Sequence, residues 1–249
     1  MRHRKESNHL LTIPHGILLI NKPRGWKSFD IVRYFQHLTK MRKIGHSGTL
    51  DEQATGLMIL AFGRDTPRLT HLLTYPKTYV FRMVFGASSE TLDAAGKHWS
   101  FSSVSDKLLT EELLQDTIKN HFTGEIDQIP PMYSCLKKEG KRLHEYARKG
   151  IELDLEPRKI TLYDMQLVAL VKNSYYPQAI LEVNCSSGTY IRSLVRDLAQ
   201  KIGHTAYLAS LCRTRIGPYH FSRAVPPQAI TSIEELKHYR LPAIDIRPL

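Results

Sequence analysis

Acidic side chains are in short supply. The 249-residue chain has 24 Asp and Glu against 35 Lys and Arg, a formal net charge of +11. An enzyme of small metabolites needs no such excess. A partner rich in phosphates does, because each neutralised phosphate releases counterions. An anionic membrane surface is the competing reading and a basic surface without function the plainest one; nucleic acid is favoured over both. Cysteine is scarce as well. Cys135, Cys185 and Cys212 are far apart and form no CxxC pair, which argues against a disulfide framework and a structural zinc site and suggests a reducing cytoplasm. No run of about 18 apolar residues is present, so no membrane-spanning helix is expected. The opening stretch MRHRKESNHLLTIPH lacks an apolar segment of signal-peptide length and reads as a loose basic arm over residues 1–15. Internal repeats, low-complexity segments and the GxxxxGK[ST] phosphate loop are also missing.

What is present reads as a folded catalytic-size chain. Hydrophobic content of 42% supports a sizeable core. GILLINKPRG (16–25) and LMILAFG (57–63) are short apolar runs typical of buried strands. SFDIVRYFQHLTK (28–40) has helical spacing, with Ser28 placed as its N-cap. KTYVFRMVFGA (77–87) alternates, putting Tyr79, Phe81, Met83 and Phe85 on one face. A helix is predicted over 110–124, long strands over 159–171 and 178–186, a turn and helix over 186–203, and a further strand over 207–219. TSIEEL (231–236) opens with a Thr-x-x-Glu capping box. Strands and helices do not alternate as βαβ units, so the expected class is α+β with a mixed, largely antiparallel sheet. The stretch from about 125 to 157 is basic and tyrosine-rich and reads as an insertion, with a short helix near Leu143–Arg148.

Two places could carry chemistry. GHSGTLDEQATG (45–56) presents Asp51 just after the basic strip KMRK. A carboxylate there can be a nucleophile, a general base, a metal ligand or a cap, and a lone loop aspartate is ordinarily a turn residue. His46 and Glu52 are too few to complete a metal site with it, and an acid in a phosphate nest repels its ligand. SSGTYIRSL (186–194) is a small-residue turn entering a helix, a setting that suits an anion, with Arg192 able to grip a carboxylate in bidentate fashion.

These segments together resemble one family. GHSGTLDEQATGLMIL is similar to the signature loop of TruB-type tRNA pseudouridine synthases, of pattern G-H-[ST]-G-x-L-D-x-x-A-x-G. GILLINKPRGWKS, KTYVFRMVFGASSETLDAAG, IPPMYSCLKKEGKRLHEYARKGIE, GTYIRSLVRDLA and LCRTRIGPY resemble the other motifs, in order, from about 16 to 219. The resemblance implies isomerisation of a uridine in the tRNA T loop, at position 55, to pseudouridine. Asp51 then takes the place of the essential nucleophile or base, and Arg192 that of its ion-pair partner. Tyr79 takes that of the tyrosine stacked on the target base, and Leu211 that of a pocket wall. Tyr190 and Lys22 match pocket-lining positions. His46 matches the residue that enters the T loop as the base flips out. The same resemblance implies no cofactor or metal, the T-arm stem-loop as partner, a monomer, and a cytoplasmic enzyme. It also implies one catalytic domain from 16 to 249 with an RNA-gripping insertion at about 125–157; many bacterial members carry a small C-terminal RNA-binding domain as well, and in a departure from that pattern no complete one is expected here. The alternative is an RNA-binding, tRNA-folding module of the same shape with little or no catalysis. A two-carboxylate glycosidase using Asp51 and Glu52 is disfavoured, since adjacent loop residues seldom converge on one bond.

Overall fold

The apolar runs GILLIN and GLMILAF lack alternation because both of their faces are covered. In the computed structural model, which describes residues 15–104, 109–172 and 175–242, they form adjacent antiparallel strands. Leu18, Ile20, Met58, Leu60 and Phe62 pack on one side with Ile31, Val32 and Phe35; Ile17, Leu19, Leu57, Ile59 and Ala61 pack on the other with Leu72 and Ile216. The basic arm proposed for 1–15 lies outside the described residues except for His15.

In chain order the elements are β1 (Gly16–Lys22), α1 (Ser28–Thr39), β2 (Ile44–His46), β3 (Thr55–Phe62), α2 (Leu69–Thr74), β4 (Lys77–Phe85), β5 (Ala87–Ser89), β6 (Trp99–Phe101), α3 (Glu111–His121) and β7 (Gly124–Gln128). They continue with β8 (Lys137–Lys138), β9 (Lys141–Arg142), α4 (Leu143–Ala147), β10 (Arg158–Val171), β11 (Gln178–Cys185), α5 (Ile191–Lys201), β12 (Ala206–Ile216), β13 (Tyr219–His220) and α6 (Ile233–Tyr239). The central sheet runs β1-β3-β12-β4-β11-β10-β7, with β2 and β13 added beside β3 and β12. Every pair is antiparallel except β3 with β12, which meet in parallel at Thr55–Cys212 and Gly56–Arg213. The α+β class with a mixed, largely antiparallel sheet is therefore what the chain forms.

The parallel contact depends on Gly56. Its φ is +107°, and a Cβ there would stand 2.4 Å from the Arg213 carbonyl oxygen. This close approach brings the start of β3, directly after the Asp51 loop, against the Arg213 end of β12. On the other half of the sheet, Phe81, Leu181 and Val183 pack beneath α3 and α5 through Leu114, Ile118, Leu194 and Leu198. The predicted Tyr79–Phe85 face is thus the covered face.

Two local expectations shift. Ser28 is not the N-cap of α1; Lys27 is, and its N–H is accepted by the Asp30 carboxylate at 2.9 Å. Ser28 lies one residue inside because its hydroxyl bonds the backbone of Leu50 instead. The capping box of α6 uses Ser232 and Glu235, one residue later than expected, with Glu235 also accepting from Thr231. Within the stretch read as an insertion, residues 124–128 form the edge strand β7 paired with β10.

Candidate active site

Glycine-rich as it is, the Asp51 loop is pinned along its length. Ser28 Oγ accepts from the Leu50 N–H at 2.8 Å and donates to the Leu50 carbonyl at 3.0 Å. Ser47 bonds Ile59 through its own N–H and through its hydroxyl. The Gly48 carbonyl accepts from Arg213 Nη2 at 3.2 Å, and the Ala54 N–H closes a turn on the Asp51 carbonyl at 3.1 Å. Lys22 holds the far side from below: its Nζ donates to the carbonyls of Pro23, Trp26 and Glu52.

That placement corrects the reading of Lys22. It is fully buried under the loop rather than facing the cleft, and burial pushes its ammonium pKa down to about 8 against the opposing pull of Asp51 and Glu52. Its amphipathic stem and three donors suit a loop anchor.

The pinned loop turns the Asp51 carboxylate toward the first turn of α5. Arg192 Nε lies 3.0 Å from Asp51 Oδ2, and Nη2 lies 3.4 Å from Oδ1, a two-point grip. The arginine side chain is only 7% exposed and the aspartate 43%, so the cation is fixed and the acid is offered to the opening. Arg192 is itself over-determined. Nη1 donates to the Thr91 carbonyl at 3.0 Å and Nη2 to the Tyr133 carbonyl at 2.9 Å, and the Asp93 carboxylate stands 3.8 Å from Nε. Buried charges are tolerated when paired and hydrogen-bonded in this way.

Asp51 and Arg192 border a cleft of about 500 Å³. Tyr79, Leu211, Lys77 and Arg213 line it from the sheet, the 187–190 turn from one side, and Tyr133, Ser134, Cys135, His144 and Arg148 of the inserted segment from another. Burial raises the pKa of the Tyr79 hydroxyl, with Arg213 opposing the rise, and burial likewise raises that of Tyr190. Both phenols are neutral groups near neutral pH. His46 lies on β2 opposite Leu60, outside the cleft lining but one residue before Ser47, which does line it. Its Nδ1 is buried without a hydrogen-bond partner among the described residues, and burial lowers its pKa, so the ring is neutral.

The structure therefore brings Asp51, Arg192, Tyr79, Tyr190 and Leu211 around one cavity, with His46 at its border and Lys22 beneath. Several participants escaped the sequence reading. Asp93 was within a quoted turn but unremarked; its Oδ1 accepts from Thr91 Oγ1 and the Ala95 N–H. The T-x-D-x-x-G spacing of residues 91–96, TLDAAG, is a usable signal. Gln128 gave none: it is buried, its Oε1 accepts from the Tyr190 N–H at 2.8 Å and its Nε2 donates to the Tyr190 carbonyl at 3.1 Å. Lys77 and Arg213 read as ordinary strand residues. Among the described residues no group of His, Cys, Asp and Glu could hold a metal ion.

An arginine-held carboxylate beside a buried aromatic, in a cavity large enough for a nucleoside, can attack or deprotonate a planar base or its sugar. Comparisons with known proteins agree in kind. Residues 36–191 match the model of the TruB family pseudouridylate synthase N-terminal domain. Relatives named tRNA pseudouridine synthase B include one from Caldanaerobacter subterraneus subsp. tengcongensis, 38% identical over 222 residues, covering 89% of this chain and 74% of that one. Another, from Azoarcus sp., is 41% identical over 218 residues, covering 88% and 70%. Among solved structures, a Cbf5–Nop10–Gar1 complex superposes with a TM-score of 0.65 at 23% identity, over 89% of this chain and 55% of that one, which supports the fold. On this evidence the chain belongs to the TruB family of pseudouridylate synthases.

Proposed function

We propose that the protein isomerises a uridine of tRNA to pseudouridine in the Asp51 cleft, the target being position 55 in the T loop. The observation that carries this reading is the Asp51–Arg192 pair, 3.0 Å apart, with the carboxylate half-exposed beside Tyr79. A pure RNA-binding module has no use for an acid held open in a basic cleft. In this account Asp51 acts as nucleophile or base, and Arg192 holds it aimed through its two-point grip. Tyr79 stacks on the extruded uracil, while Leu211 and Tyr190 wall the base in.

A uridine inside a structured loop must leave its stack to reach this depth, at a cost of a few kcal/mol. Stacking on one aromatic returns about 1–3 kcal/mol. His46, at the rim, fills the vacated space and supplies part of the remainder. The inserted segment supplies the rest: Lys137, Lys138, Lys141, Arg142 and Lys149 are exposed on the β8–β9 hairpin and around α4, beside the cleft-lining Arg148.

The test is to incubate purified protein alone with an unmodified tRNA transcript and map pseudouridine by reverse-transcription stops after carbodiimide treatment. One new pseudouridine, at position 55, is the expected result. An unmodified transcript, or modification elsewhere, overturns the assignment.

A further inference from the structure

Two cations at the base of the cleft have no anionic partner among the described residues. Lys77 is 6% exposed and Arg213 1%, and both line the cavity next to Tyr79. Tyr79 and Arg213 are cross-strand partners in β4 and β12, and Lys77 is two residues from Tyr79 along β4. Neither cation pairs with a carboxylate among the described residues. Arg213 Nε and Nη2 donate to the carbonyls of Leu57 and Gly48. Among the described residues Lys77 Nζ donates only to the Leu73 carbonyl, which uses one of its three N–H groups. The nearby Cys185 thiol offers no charge, since burial holds its pKa up at about 11.

Buried charges are paired in folded proteins because desolvation is otherwise too costly. Here the missing partner has room to arrive from the cleft. We propose that Lys77 and Arg213 form an oxyanion site for the target base, with Lys77 Nζ donating to a carbonyl oxygen of the uracil and both charges stabilising the ring once it detaches. The chemistry is the reason to prefer the base over a backbone phosphate. The N1–C1′ bond breaks with its electron pair left on N1, so the free ring carries a negative charge shared with its oxygens. The C5–C1′ bond then forms, C5 loses its proton and N1 gains one, and no oxidant or further reactant enters. The base is also the part of an extruded nucleotide that reaches deepest. Fixed cations in a dry site act on such transient charge far more strongly than in water.

This inference rests on the uridine-isomerase reading of the cleft. The experiment compares wild type with Lys77→Met under single-turnover conditions. The substrates are T-arm stem-loops carrying uridine, 2-thiouridine or 4-thiouridine at the target position, because sulfur is the weaker acceptor. Lys77→Met is expected to slow isomerisation by about 10²–10³-fold while the Kd for RNA changes less than about threefold. One of the two thio substrates should slow wild type by about tenfold, and that penalty should shrink in Lys77→Met, since contacting groups are not additive. A normal rate in Lys77→Met, or no penalty for either thio substrate on wild type, overturns the proposal. So does a normal rate at saturation with weakened binding and a salt slope reduced by about 0.7–0.9, the mark of a lost phosphate contact. If the variant does not fold, the thio substrates on wild type decide. Loss of activity in Asp51→Asn alongside a normal Lys77→Met would refute the oxyanion site and leave the isomerase reading standing.

Discussion

At the scale of single residues, the cleft holds cations that work against folding. Burial, with Arg213 adding to it and Cys185 opposing, lowers the Lys77 pKa from 10.5 to about 8. A charged Lys77 at pH 7 is therefore a destabilising feature of the native state. The folded state releases its proton near pH 8 and the unfolded chain only near 10.5, so this penalty fades as pH rises between those values. Lys77→Met should accordingly be more stable than wild type at pH 7, on the order of 1–3 kcal/mol, and the gap should close as pH rises from 8 toward 10. Urea denaturation at pH 7 and pH 9.5 checks both points; a variant less stable than wild type at pH 7, or a gap that widens with pH, contradicts the account. A residue that lowers stability and raises activity is an expected trade at a functional site. Asp51, Arg192 and Tyr79 were singled out in the sequence only through the resemblance to a family's motifs; taken alone they read as a turn residue, a surface helix residue and a core aromatic. Lys77 and Arg213 were not singled out, because nothing local distinguishes a buried strand cation from an exposed one.

At the scale of elements, the end of β7 and the segment after it clasp the start of α5. Gln128 bonds both backbone groups of Tyr190, the Ile129 carbonyl accepts from Ser193 Oγ at 2.8 Å and from Arg196 Nη2 at 2.9 Å, and the Tyr133 carbonyl accepts from Arg192. The entry to the inserted segment is thereby tied to the residue that grips Asp51. Gln128→Met keeps the volume and leaves the part-buried Tyr190 N–H without its acceptor, which costs about 1–3 kcal/mol, while the Tyr190 carbonyl keeps the Leu194 N–H as donor. The expected outcome is a destabilised protein whose single-turnover rate falls about 10-fold or more with RNA affinity within about threefold of wild type. Unchanged stability and rate would show that the clasp is dispensable. Most elements were readable from apolar runs, alternation and turn residues. Ser28 was misplaced because a serine at a helix start satisfies the N-cap pattern, while its tertiary use, a double bond to Leu50 22 residues away, leaves no local trace. Gln128 was invisible for the same reason: its partner is 62 residues off.

At the scale of the whole molecule, one cleft gathers an acid from the β2–β3 loop, an arginine from α5, an aromatic and two cations from the sheet, and basic side chains from the inserted segment. Only the fold class and the order of motifs could be anticipated for that assembly; the parallel β3–β12 contact that closes it depends on Gly56 lying against Arg213, a distant pairing. The central claim is that the Asp51 carboxylate performs the chemistry while the surrounding surface holds the RNA. The most direct measurement is tritium release from a tRNA labelled at uridine C5, followed for wild type and Asp51→Asn, with the Kd of each for the same RNA. Asparagine keeps the size of the side chain and removes its charge. The account predicts release by wild type, none above background by Asp51→Asn, and Kd values within about threefold. Release by Asp51→Asn at a rate near that of wild type would contradict it.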